Sequence, residues 1–112
     1  MQTVGLRLEV DSRVLEVAVN LPENADAKRV VEALSGALSR TIRDCSSGAD
    51  SLQFDEDRVF AARLRGTAIE QVAVEAARGT ACLVKTLEGR ELPHRFDPPL
   101  DVHVLLRASA SP

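Results

Sequence analysis

Arg63, Arg65, Gly66 and Thr67 are the residues whose types and spacing come nearest to chemistry in this chain. Phe60, Ala62 and Leu64 read as one face of a strand, with Arg63 and Arg65 on the other. Gly66-Thr67 then breaks the strand and opens a segment patterned as a helix. A helix N-terminus presents free N–H groups and the positive end of its dipole to an anion. Two arginines on one face beside such a start would hold a phosphate or carboxylate. The competing reading is a capping box, Thr67-Ala68-Ile69-Glu70, in which Glu70 already fills the helix start and the arginines are solvated. A strand–Gly–helix junction alone is a weak motif.

The other reactive residue types are scattered. His94 and His103 are the only histidines, and Cys82 falls in a segment that could neighbour them. Three such groups on adjacent strands could bind zinc, but the chain has no C-x-x-C or H-x-x-H spacing, so no metal and no cofactor are expected. The sequence does not set whether His94, His103 and Cys82 converge. No serine sits in a G-x-S-x-G turn, the strained geometry that exposes a nucleophile, and no catalytic residue is assigned. Asp55-Glu56-Asp57 lacks the glycine and distal glutamate of a calcium loop and reads as a solvated turn. Cys45 and Cys82 both fall on apolar faces and are expected as two buried, reduced thiols.

Composition narrows the function classes. The net charge is −3, with 14 basic residues among 17 acidic ones and no basic run denser than Arg63-Leu64-Arg65. Binding to a phosphate backbone needs a concentrated basic footprint, so nucleic acid is disfavoured as a partner. The aromatic residues Phe54, Phe60 and Phe96 are too few for a base-stacking platform. The opening residues lack the basic and apolar regions of a signal peptide, and the uncharged stretches are too short to span a bilayer. The expectation is a soluble, cytoplasmic protein. Its Arg, Ala and Val richness suggests a bacterial source.

The elements that would position these residues follow from periodicity. Val4 to Val10 and Leu15 to Leu21 alternate apolar and polar residues around Asp11-Ser12-Arg13, the pattern of an antiparallel hairpin. Asn24 or Asp26 caps a helix whose apolar stripe runs through Val30, Val31, Leu34, Ala37, Leu38, Thr41, Ile42 and Cys45. Gly48 is its expected left-handed end. Short strands follow at Leu52–Phe54 and Phe60–Leu64. A second, thin helix runs from Thr67 through Ile69, Val72, Ala73, Ala76 and Ala77 to Gly79. Three more strands follow, at Ala81–Leu87, Leu92–Phe96 and Val102–Leu106. Pro93 cannot donate to a ladder and places its strand at an edge.

The predicted class is α+β: a single mixed or mainly antiparallel sheet with two helices on one face, in the order ββαββαβββ. Residues 1–108 form one domain and 109–112 a disordered tail.

Val17-Ala18-Val19-Asn20-Leu21-Pro22, followed by the amphipathic helix, resembles the opening of a ubiquitin-like β-grasp over about a third of the chain. Leu15 to Ala108 resembles the later part of archease, an accessory protein of RNA ligase systems, in its strand, Leu-Pro, long helix, hairpin and terminal apolar strand. Archease's Asp-His-Thr-Ala-Asp metal motif is missing, and neither family's functional residues carry over.

A well-specified core without convergent titratable groups points to a small, non-catalytic interaction or regulatory module. Its expected partner is a protein or a second copy, bound through the exposed edge of the Val4–Val10 strand. The alternative is an archease-like accessory component of an enzyme system, or a binder of small anions at the Arg63/Arg65/Gly66/Thr67 corner.

Overall fold

The computed structural model describes residues 1–47, 51–52 and 56–107. The expected hairpin forms first, from β1 (Gln2–Val10) and β2 (Arg13–Leu21). Its register runs unbroken from Gln2↔Leu21 to Val10↔Arg13. Asp11 and Ser12 close it with φ of 49° and 68°. Two consecutive positive φ values define the type I′ turn, whose twist matches that of the strands it joins.

The alternation puts Leu6, Leu8 and Val10 of β1, and Leu15, Val17, Val19 and Leu21 of β2, on one buried face. The first helix, α1 (Ala27–Asp44), lays its stripe on that face, burying Val30, Ala33, Leu34, Ala37, Leu38 and Ile42. Asp26 is the cap: its carboxylate accepts the Arg29 N–H, satisfying one of the donors that a helix start leaves free. Thr41, fully buried, donates its hydroxyl to the Ala37 carbonyl at 2.8 Å, so no polar atom is stranded there. The expected Gly48 cap, the Phe54 end of a short strand, Asp55 and the tail 109–112 lie outside the described residues.

The second half of the chain is α+β as expected, but its order differs. Three elements follow: β3 (Arg58–Val74), α2 (Thr80–Leu87) and β4 (Glu91–Leu106). The described order is therefore ββαβαβ, with one four-stranded antiparallel sheet in the order β1-β2-β4-β3. The helix expected from Thr67 is instead the second half of β3. Ile69 donates its N–H to the Arg90 carbonyl and accepts the Gly89 N–H, so its backbone is spent on β4's approach. Ile69 and Val72, three apart and both buried, mimic a helical stripe because the strand is irregular there, with register shifts on both sides of Gly66.

Ala81–Leu87, expected as a strand, is α2. Its buried residues Thr80, Leu83 and Leu87 recur at helical spacing. Gly79, expected to end a helix, begins this one with φ of +86°. Leu92–Phe96 and Val102–Leu106 are the two ends of one strand, β4. Asp97-Pro98-Pro99 lies within it and is absorbed by the shift between Leu64↔Leu100 and Gly66↔Phe96. β2 pairs only with His103–Leu106 of β4, so Pro93 lies where β4 has β3 alone as its ladder partner. That is how a proline is accommodated in a strand that is central by order. Among the described residues no helix is long and apolar enough to cross a membrane.

Candidate functional site

The arginine corner does not have the geometry expected of it. No helix starts at Gly66-Thr67; both lie within β3, where Gly66 takes φ of +57° at the register shift. With the helix start gone, its free N–H groups and dipole are gone too. Arg63 faces its β4 register partner Asp101, with Nε donating to Oδ1 at 2.8 Å and Nη2 to Oδ2 at 3.3 Å. This two-pronged bond raises the Arg63 pKa further and holds the Asp101 carboxyl below the usual carboxylate range. Arg65 lies 3.4 Å from Glu70, the residue expected to cap a helix. Both guanidinium groups are therefore matched by carboxylates, and Thr67 is exposed.

A shallow depression of about 260 Å³ opens beside this pair, lined by Ala61, Ala62, Arg63, Gln71, Ala73, Asp101 and His103. It contains Arg63 but not Arg65, Gly66 or Thr67. His94 is half-buried, with Nε2 2.8 Å from Glu32 on α1. His103 lies opposite Ala61 and Asn20. The histidines and Cys82 do not converge. Among the described residues no group of three or more His, Cys, Asp or Glu could hold a metal ion.

Cys45 and Cys82 are bonded to one another, with Cα atoms 5.8 Å apart. This corrects the expectation of free thiols. The apolar placement of both cysteines agrees with the sequence pattern. Reading Cys82 as a strand residue conceals that α2 brings it to the end of α1.

The feature that does match its expectation is β1. It is the first strand in the sheet order, paired on one side by β2, and no other strand flanks it among the described residues. Its backbone polarity can be read from the turn. A two-residue I′ loop makes its flanking pair, Val10 and Arg13, a hydrogen-bonded pair. Such pairs alternate, so Val4, Leu6, Leu8 and Val10 spend their amides and carbonyls on β2. The Arg107 N–H donates to the Glu16 carbonyl at 3.0 Å on β2's other side, which agrees with that alternation. Thr3, Gly5, Arg7 and Glu9 then direct their backbone groups outward.

Natural sheets blunt edges with prolines, bulges or short strands. The β3 side is broken by shifts around Gly66, and the outer half of β4 carries Pro93, Pro98 and Pro99. β1 has no proline and no shift over its nine residues, and its only charges are Arg7 and Glu9. The sequence signal for this edge is the clean alternation itself. No family model matches the chain, and neither a curated protein nor a solved structure matches it.

Proposed function

We propose that this protein is a small, non-catalytic interaction module that recruits a protein partner by adding a strand to the free edge of β1. The observation that carries this reading is the long, regular, proline-free β1 with one ladder filled and one open. Strand addition gives affinity through main-chain hydrogen bonds and needs no specialised side chains, which suits a chain whose reactive residues are dispersed. The anion-binding alternative has less support, because Asp101 and Glu70 already neutralise Arg63 and Arg65. The Cys45–Cys82 bond bears on where the module works. Such bonds persist in oxidising compartments and are rare in the cytosol, which argues against the cytoplasmic location expected from the opening residues.

Arg7→Pro tests the proposal. It deletes one outward N–H and leaves the amides that bond β2. The wild-type protein used as bait should retain a partner that the Arg7→Pro protein, folded by circular dichroism, loses. Equal retention by both would contradict an edge-mediated function.

A further inference from the structure

We infer that the partner of the β1 edge is a second copy of this chain, paired antiparallel about a two-fold axis at Leu8. This rests on the reading of β1 as the recruiting edge and adds the identity of the occupant and its register.

A two-fold dimer pairs the same patch on both subunits, so β1 meets β1 antiparallel and the sheet continues from four strands to eight. Ladder pairs across the new seam must join residues whose backbone groups point outward: Thr3, Gly5, Arg7 and Glu9. Only a few registers satisfy that condition. An axis at Arg7 sets the two Arg7 side chains against each other, and an axis at Glu9 does the same with the two glutamates. Like charges directly opposite are destabilising. An axis at Leu6 sets Arg7 against Gly5 and Glu9 against Thr3, and an axis at Gly5 sets Arg7 against Thr3 and Glu9 against Met1; each leaves both charges without a side chain of opposite charge across the seam.

An axis at Leu8 pairs Leu6–Val10 of the two copies and places Arg7 of each opposite Glu9 of the other, in two equivalent pairs. Both residues are exposed and enter no ion pair or side-chain hydrogen bond among the described residues. The same register sets Leu8 against Leu8 and Leu6 against Val10 on the opposite face. These three are the buried residues of β1, so the apolar layer beneath α1 runs on across the seam. Charge and apolar patterns thus favour one register together, and neither charge has a competing partner within its own chain.

Sedimentation of the purified protein tests this. The wild type should dimerise in the micromolar range. Arg7→Glu alone sets two acidic side chains opposite each other across the seam, and Glu9→Arg alone sets two arginines together. Each should raise the dimer dissociation constant at least about tenfold. An equimolar mixture of the two variants pairs acidic edge with basic edge and should recover wild-type association. Recovery on mixing cannot come from a misfolded variant.

A wild-type protein that stays monomeric at high micromolar concentration would overturn self-pairing. If Arg7→Pro still lost a cellular partner, the edge reading would stand without it. Dimers that persist in both single variants, unaffected by mixing, would overturn the register.

Discussion

Cys45, the residue that caps the C-terminus of α1, is bonded to Cys82 in the first turn of α2. The bond joins the two helices through cysteines 37 positions apart in the sequence, with β3 running between the helices. It pins the shorter helix, only eight residues long, to the longer one. An isolated helix of that length is not stable in water.

The first prediction concerns that link. Closing a loop of this length removes conformational freedom from the unfolded chain, worth about 4 kcal/mol in the chain-entropy picture. Replacing both cysteines with alanine should lower the unfolding free energy by about 2–4 kcal/mol, measured by chemical denaturation. Reductant should destabilise the wild type and leave the double variant unchanged. A wild-type protein indifferent to reductant would show that the bond does not form.

The core carries the second prediction. Leu38 is 1% exposed on the buried stripe of α1. Leu38→Ala removes its packing and leaves a cavity, so stability should fall by about 2–5 kcal/mol. A loss under about 0.5 kcal/mol would mean that this face of α1 is not the one covering the sheet.

Gly79 gives a third. It starts α2 at φ of +86°, and a Cβ there would press into the backbone of Ser51 and Leu52. Gly89 has φ of +81° but faces open space. Gly89→Ala should cost about 1–2 kcal/mol from backbone strain alone, and Gly79→Ala more than that. Equal melting temperatures for the two variants would contradict the close approach at Leu52.

The fourth concerns acid titration of the exposed face. Arg63 holds the Asp101 carboxyl below its unfolded-state pKa. Any stabilisation from this pair is therefore present above the unfolded carboxylate pKa of about 4 and disappears as pH falls through the lower folded value. In Arg63→Ala the Asp101 carboxyl should titrate higher, which carbon-detected NMR reads directly. The pair is solvent-exposed, so the stability change should be small. An Asp101 titration that does not move would remove Arg63 as the cause.

The hairpin, α1 and the buried faces of both are legible because alternation and helical spacing each act over a single regular element. The second half is less so. Arg65 and Glu70 form an ion pair although five residues apart in one strand. In a straight strand they would lie on opposite faces, about 16 Å apart. β3 is therefore bent near Gly66, and a bent strand no longer buries every second residue. That is why Ile69 and Val72 have helical spacing in the sequence. α2 misleads differently. Its eight residues give barely two turns of pattern, and half-buried Cys82 and Val84 fill in the polar positions. The arginine corner inherits the first error, since its helix start depends on the chain leaving the sheet at Gly66. The β1 edge is legible because it depends only on the hairpin.

Amide hydrogen exchange along β1 is the most direct test of the central claim, that this edge is a recruiting surface. Leu6, Leu8 and Val10 should be protected at every concentration, because β2 holds their amides. Arg7 and Glu9 should exchange freely in dilute protein and become protected as the protein is concentrated or its partner added. If they stay unprotected under those conditions, or are already protected in the dilute monomer, β1 is not the surface through which this protein acts.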